Sequence, residues 1–162
     1  MDEGTQFASV LARIGRDVLK QLEGLSDELL NRPLALPETN TLFALATHIA
    51  GSTEFWVLEM AGGRRVDRIR QAEFRSAGRR EDLIVRYERW LGAIHGVLRD
   101  LPRSAMDRAT ESPAEYRSTG GLGERQLSVR ECLLHAVEHA ALHLGHIQIT
   151  RQIILADELP PK

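Results

Sequence analysis

The chain has 162 residues, of which 43% are hydrophobic and 27% charged, and its formal net charge is -2. This composition is typical of one globular domain and argues against a disordered chain. A weak negative charge gives no general attraction to nucleic acid, and no apolar run is long enough to cross a bilayer. We therefore expect a single domain over residues 1–162, with neither nucleic acid nor membrane as its partner.

The cysteine content and the first residues favour a cytoplasmic protein. Cys132 is the single cysteine, so no disulfide can form within the chain. Residues 1–4 lack the basic-then-apolar layout of a secretion signal. We expect Cys132 to be a small core residue rather than a nucleophile.

The first half of the chain predicts two amphipathic helices. The first spans about residues 4–24, where one apolar stripe repeats at three- and four-residue steps: Phe7, Leu11, Ile14, Val18 and Leu22. The second begins at Asn40 or Thr41 and runs to about Ala61, where two glycines stop it. Its inward face is predicted to carry Leu45, His48, Ser52, Phe55, Trp56 and Glu59. A polar histidine therefore lies within a stripe that should point into the core.

The second half predicts two further helices. One spans about residues 80–101 and ends before Pro102, and the other spans about residues 128–156. Ser128 and Glu131 have the spacing of a capping box at the start of the last helix. The long connection between them contains the glycine-rich residues 118–123, which could form a lid, a pocket wall or a plain connector. Four amphipathic helices without a strand pattern predict an all-α four-helix bundle.

Residues 64–80 are rich in arginine. The stretch contains Arg64, Arg65, Arg68, Arg70, Arg75, Arg79 and Arg80, diluted only by Asp67 and Glu73. The ordinary interpretation is a solvated loop and helix start. The alternative is a rim that attracts anions beside a pocket.

Five histidines lie on the inward surfaces of the second and fourth predicted helices, one on the second and four on the fourth. His135, His139, His143 and His146 fall within an arc of about 80° on the fourth helix. Imidazoles are costly to bury without partners, and two of them four residues apart can bind one metal ion. His48 from the facing helix would supply a third ligand. The spacing does not decide between the His135/His139 and His139/His143 pairs, whereas the isolated His95 is expected to be structural.

Three stretches of this sequence are similar to a known family. The first comprises residues 25–30, 40–42 and 48–50, and the second comprises residues 72–78 and 81–83. The third, residues 139–147, looks like the family pattern His-x-x-x-His-x-Gly-Gln. Over nearly its whole length the chain resembles the DinB/YfiT-like superfamily of metalloenzymes.

The resemblance implies a four-helix bundle with one divalent metal ion. Imidazole ligands suit several first-row ions, of which we expect zinc or nickel. Carried over to this chain, the ligands of the ion are His48, His139 and His143. His146 occupies the position where the family often has glutamine, and we predict His146 or Glu59 as the group that handles a proton. Some relatives look like transferases or isomerases that use a low-molecular-weight thiol.

The leading hypothesis is that the metal site activates such a thiol to attack a small electrophilic substrate, giving S-transfer or isomerisation. Two alternatives remain open at this point. The metal could activate water, which would make the protein a hydrolase, or the bundle could bind a metal or small ligand without catalysis. A homodimer is a further expectation, since bundles often pair through helix faces.

Overall fold

The computed structural model describes residues 2–113 and 125–158. In chain order its helical elements are α1 (Glu3–Gln21), α2 (Asp27–Leu30), α3 (Leu42–Thr53), a π-helix (Glu54–Ala61), α4 (Arg70–Glu73), α5 (Arg80–Asp100), a 3-10 helix (Arg103–Ala105) and α6 (Val129–Asp157). These residues contain no β-strand and only one isolated bridge, Ala109–Ser128. The predicted all-α bundle is confirmed, while the glycine-rich residues 118–123 lie outside the described residues. None of the described helices is both long and apolar enough to span a membrane.

The apolar stripes of α1 and α5 meet in the core of the bundle. Leu11 and Val18 of α1 and Trp90 of α5 have no exposed surface. Gly15 allows this close approach, because a Cβ atom there would lie 2.7 Å from the ring of Trp90. The hydroxyl of Tyr87 donates a hydrogen bond of 2.9 Å to the carbonyl of Ala46, which joins α5 to α3.

Helix α6 begins where the capping box predicts. The Ser128 hydroxyl accepts a hydrogen bond from the backbone amide of Glu131, and the Glu131 carboxylate accepts one of 2.8 Å from the Ser128 amide. Cys132 follows one turn later and is completely buried, as expected for a core residue. Burial raises the pKa of its thiol above the usual value, so the thiolate is disfavoured.

The second predicted helix is not α-helical throughout. Helix α3 ends at Thr53 and continues directly as the π-helix, in which the amide of Gly62 donates to the carbonyl of Val57, five residues back. A wider turn rotates the later side chains away from their α-helical projection. Trp56 is therefore buried in the core, whereas Phe55 and Glu59 are only half-buried. The single inward face predicted for this segment is thus divided.

Helices α2 and α4 were not predicted, because four residues are too few to show a helical period. Helix α4 packs beside α3 and ends at Glu73, which is buried despite its charge. The arginine-rich stretch is therefore not a uniformly solvated segment.

Candidate metal centre

Three histidines from two helices converge in the middle of the bundle. His48 comes from α3, and His139 and His143 come from successive turns of α6. One possible ligand nitrogen from each residue lies within 4.8 Å of the other two. The Nε2 atoms of His48 and His139 are 3.2 Å apart. The structure thus brings together the three residues that the family resemblance indicated.

The donor set fits a divalent ion. Two nitrogens that bind one tetrahedral zinc ion at 2.0–2.1 Å are about 3.3 Å apart, close to the separation of the two Nε2 atoms. The Nδ1 atom of His139 is buried and has no hydrogen-bond partner in the described part of the chain. A ring with one nitrogen facing another imidazole and the other nitrogen buried without a partner is poorly satisfied by protein contacts alone. Three neutral imidazoles would leave coordination positions open for a small molecule.

Glu73 fixes the orientation of His48. The Nδ1 atom of His48 lies 2.7 Å from Oε2 of Glu73, and because a carboxylate can only accept, Nδ1 carries the proton. The lone pair of the neutral ring is then on Nε2, which faces His139. Burial acts to raise the pKa of Glu73, but hydrogen bonds from His48 and Arg68 outweigh burial and hold the pKa below its usual value. Glu73 therefore remains a carboxylate and prepares His48 as a metal ligand.

Arg68 binds the Glu73 carboxylate, and Gly51 leaves the space that the carboxylate occupies. Arg68 donates from Nε to Oε1 at 2.7 Å and from Nη2 to Oε2 at 3.0 Å, so the pair is bidentate. Gly51 of α3 provides the space, because a Cβ atom there would lie 2.1 Å from Oε1 of Glu73. His48, Glu73 and Arg68 form one buried polar network.

The two histidines that α6 contributes to the cluster, His139 and His143, are held in their neutral form. Burial, followed by the neighbouring histidines, lowers the pKa of His139 to about 3. Burial is the largest cause that lowers the pKa of His143 to about 4, and its neighbours His48, His146 and Arg70 act in the same direction. Both rings are unprotonated at neutral pH, which is the form that binds metal ions.

The other predicted site residues lie around the three histidines. His146 is exposed, and its Nδ1 atom lies 3.2 Å from Nδ1 of His143. His135 is not part of the convergent set, since its ring packs against Trp56 at 4.5 Å. Glu59 is half-buried, and its Oε2 atom accepts a hydrogen bond of 2.8 Å from the amide of Val66.

A cavity of about 410 Å³ lies beside this network, and we call it the arginine cavity. Its wall includes Phe55, Glu59, Arg65, Arg68 and Arg70. Arg65, Arg68 and Arg70 line this cavity, so part of the arginine-rich stretch lies beside a pocket. Arg65 and Arg70 are nevertheless exposed, as are Arg64, Arg75 and Arg79, whereas Arg68 is half-buried.

Glu73 is the site residue that sequence reasoning missed. In the sequence it stands among arginines, and that setting indicates only a residue that dilutes their charge. The available signal was its position within residues 72–78, one of the stretches that carries the family resemblance. Its contact with His48, 25 positions away, depends on the packing of α4 against α3.

The fold and the site define a class: an all-α bundle with three convergent histidines that are compatible with an open metal site. Comparison with family profiles gives a match to Mycothiol-S-transferase over residues 6–156. The chain therefore belongs to the mycothiol S-transferase family, which is DinB/YfiT-like.

Comparison with individual proteins supports the fold alone. A search of curated proteins gave no significant match. Among solved structures, the chain is similar to a conserved protein from Enterococcus faecalis, with a TM-score of 0.73 and 11% sequence identity. The alignment covers 96% of this chain and 99% of that chain.

Proposed function

We propose that the protein is a metal-dependent enzyme that joins a low-molecular-weight thiol to a small electrophilic substrate, or uses the thiol to isomerise it. The main support for this proposal is that possible ligand nitrogens of His48, His139 and His143 lie within 4.8 Å of one another in a chain of the mycothiol S-transferase family. Mycothiol is the thiol that the family name supports. Zinc and nickel are the metal ions that we favour, because both suit imidazole ligands.

Each residue has a defined part in this proposal. His48, His139 and His143 would hold the ion, and Glu73 would keep the proton of His48 on Nδ1. A divalent ion at this position supplies Lewis acidity, which favours the deprotonated form of a thiol. The thiolate sulfur then forms a bond to the electrophilic carbon as the bond to the leaving group breaks.

The thiol proton needs an acceptor within the site. We propose Glu59 or His146 for this step. Glu59 lines the arginine cavity and uses one carboxylate oxygen to accept from Val66, which leaves the other free to accept a proton. His146 adjoins His143 and is accessible to solvent, so it could pass a proton to water.

The proposal is tested by measuring metal content and thiol transfer on the same preparations. The untagged protein should retain about one zinc or nickel ion per chain, and the His139→Ala variant should lose it. The metal-loaded protein should accelerate the reaction of mycothiol with the electrophile monochlorobimane, and removal of the ion should abolish the acceleration. His95→Ala is the matched control, because His95 is exposed on α5 and remote from the cluster in sequence.

Three results would reject the proposal in different ways. If neither zinc nor nickel binds, the three histidines are not a metal site. If the ion binds but ester hydrolysis proceeds without any thiol and thiol transfer does not occur, the protein is a hydrolase. Binding of metal and mycothiol without turnover of either type of substrate would instead identify a non-catalytic binding protein.

A further inference from the structure

The guanidinium groups that line the arginine cavity differ in whether they already form an ion pair with a carboxylate. Arg68 is paired with a carboxylate, because its Nε and Nη2 donate to the two oxygens of Glu73. Arg65 and Arg70 form no ion pair with any carboxylate in residues 2–113 and 125–158. Two positive groups in the wall of the cavity are therefore available to a ligand.

Arg70 contacts an aromatic ring that itself contacts one of the proposed metal ligands. Its guanidinium carbon lies 5.2 Å from the centroid of the Phe74 ring. The ring of Phe74 in turn lies 4.3 Å from the ring of His48. A single aromatic residue thus separates Arg70 from the proposed metal ligand.

Acidic groups also face the cavity and restrict what it can bind. Glu59 and Asp67 line the wall, and neither forms an ion pair with Arg65 or Arg70 among the described residues. These carboxylates would repel a ligand of high negative charge. We therefore expect the cavity to accept a ligand with one anionic group, which would contact the two unpaired guanidinium groups.

We propose that the arginine cavity binds a carboxylate group of the electrophilic substrate, with Arg65 and Arg70 as its partners. Guanidinium groups match the planar, two-oxygen geometry of a carboxylate. Phe55 is also part of the wall, and the cavity volume of about 410 Å³ is within the size range of small-molecule sites. This inference rests on the proposed function, because it assigns the substrate of the same site. The substrate class is therefore a small electrophile that carries a carboxylate.

Carboxylate binding can be measured without metal or thiol. We suggest fluorine NMR titration with 4-(trifluoromethyl)benzoate and with its uncharged amide, 4-(trifluoromethyl)benzamide. The benzoate should bind more tightly, and Arg65→Gln and Arg70→Gln should each weaken its binding about tenfold with little effect on the amide. Arg75→Gln is the matched control, since Arg75 belongs to the same stretch and is exposed like Arg65 and Arg70, but does not line the cavity. Equal binding of both probes, or equal weakening by all three substitutions, would overturn the inference.

Turnover then shows which reactant carries the carboxylate. Iodoacetate and iodoacetamide react with mycothiol in the same way: the sulfur–carbon bond forms, the carbon–iodine bond breaks and iodide leaves. The ratio of kcat/KM for iodoacetate to that for iodoacetamide should fall about tenfold in Arg65→Gln and Arg70→Gln. A parallel comparison of N-acetylcysteine with its amide, at fixed iodoacetamide, tests the thiol. If Arg65→Gln and Arg70→Gln change the preference for a carboxylate only between the two thiols, and not between iodoacetate and iodoacetamide, the assignment of the carboxylate to the electrophile is wrong.

The two experiments separate this inference from the proposed function. Carboxylate binding that depends on Arg65 and Arg70, in a protein without thiol transfer, would reject the proposed function and with it the carboxylate's role in an electrophile. Thiol transfer in a protein without carboxylate preference would reject the inference alone.

Discussion

The Nδ1 atom of His48 lies 2.7 Å from Oε2 of Glu73, and both side chains are buried. The two residues belong to different helices, α3 and α4, and Arg68 completes the network by a bidentate contact with the same carboxylate. Because the carboxylate fixes both the tautomer and the direction of the ring, the metal-binding capacity of His48 should depend on Glu73.

Replacing Glu73 with glutamine should weaken metal binding about 10- to 100-fold, because a neutral amide holds the His48 proton less strongly. The affinity is measured by competition with a chromophoric zinc chelator. Glu81→Gln, an exposed change at the start of α5, serves as the control. Unchanged zinc affinity in Glu73→Gln would show that the carboxylate does not support the ligand.

Gly51→Ala should impair the same network from the opposite side. The new Cβ atom would lie 2.1 Å from Oε1 of Glu73, so the carboxylate must move away from its present position. We expect zinc affinity to fall in the native background but not further in a Glu73→Ala background, since coupled residues are not additive. Gly92→Ala on α5, where a Cβ atom meets nothing within 4 Å, is the control. Equal losses of zinc affinity in both backgrounds would show that Gly51 acts independently of Glu73.

His146 should act on the metal site through His143. The two Nδ1 atoms are 3.2 Å apart, so the Nδ1 proton of His143 can be held by His146 while Nε2 remains for the ion. We expect His146→Ala to reduce zinc affinity about tenfold and His146→Gln to preserve it, because the glutamine oxygen also accepts a hydrogen bond. Equal affinities for the alanine and glutamine variants would argue against this role.

The metal-free protein should lose stability as the pH falls below about 6.5. The pKa of His139 is lowered from 6.5 to about 3 in the folded chain, and that of His143 to about 4. The unfolded chain therefore binds more protons in this interval, so the free energy of unfolding decreases as the pH is lowered from 6.5 toward 4. Urea denaturation at several pH values measures the slope, which should be shallower in His139→Gln than in the wild type. The exposed His95→Gln variant should keep the wild-type slope, and a slope unaffected by His139→Gln would contradict the expectation.

The amino-acid sequence alone determined the long helical segments of the bundle. The apolar stripe ending in Leu22 predicted α1, the amphipathic segment that ends before Pro102 predicted α5, and the Ser128 capping box predicted the start of α6. These signals are local, since a helical period and a cap depend on residues within a few turns. The same periodicity placed four histidines on one surface of α6, but two alternative pairs remained open until the family resemblance favoured His139 and His143.

The tertiary structure decided which groups surround the three histidines. The position of Glu73 against His48 requires α4 to pack on α3 beside Gly51, and no local pattern contains that information. The π-helix likewise moved Phe55 and Glu59 to the wall of the arginine cavity while Trp56 entered the core. Contacts between residues distant in the sequence depend on the balance of packing and burial over the whole bundle, whereas helix propensity and capping act over a few residues.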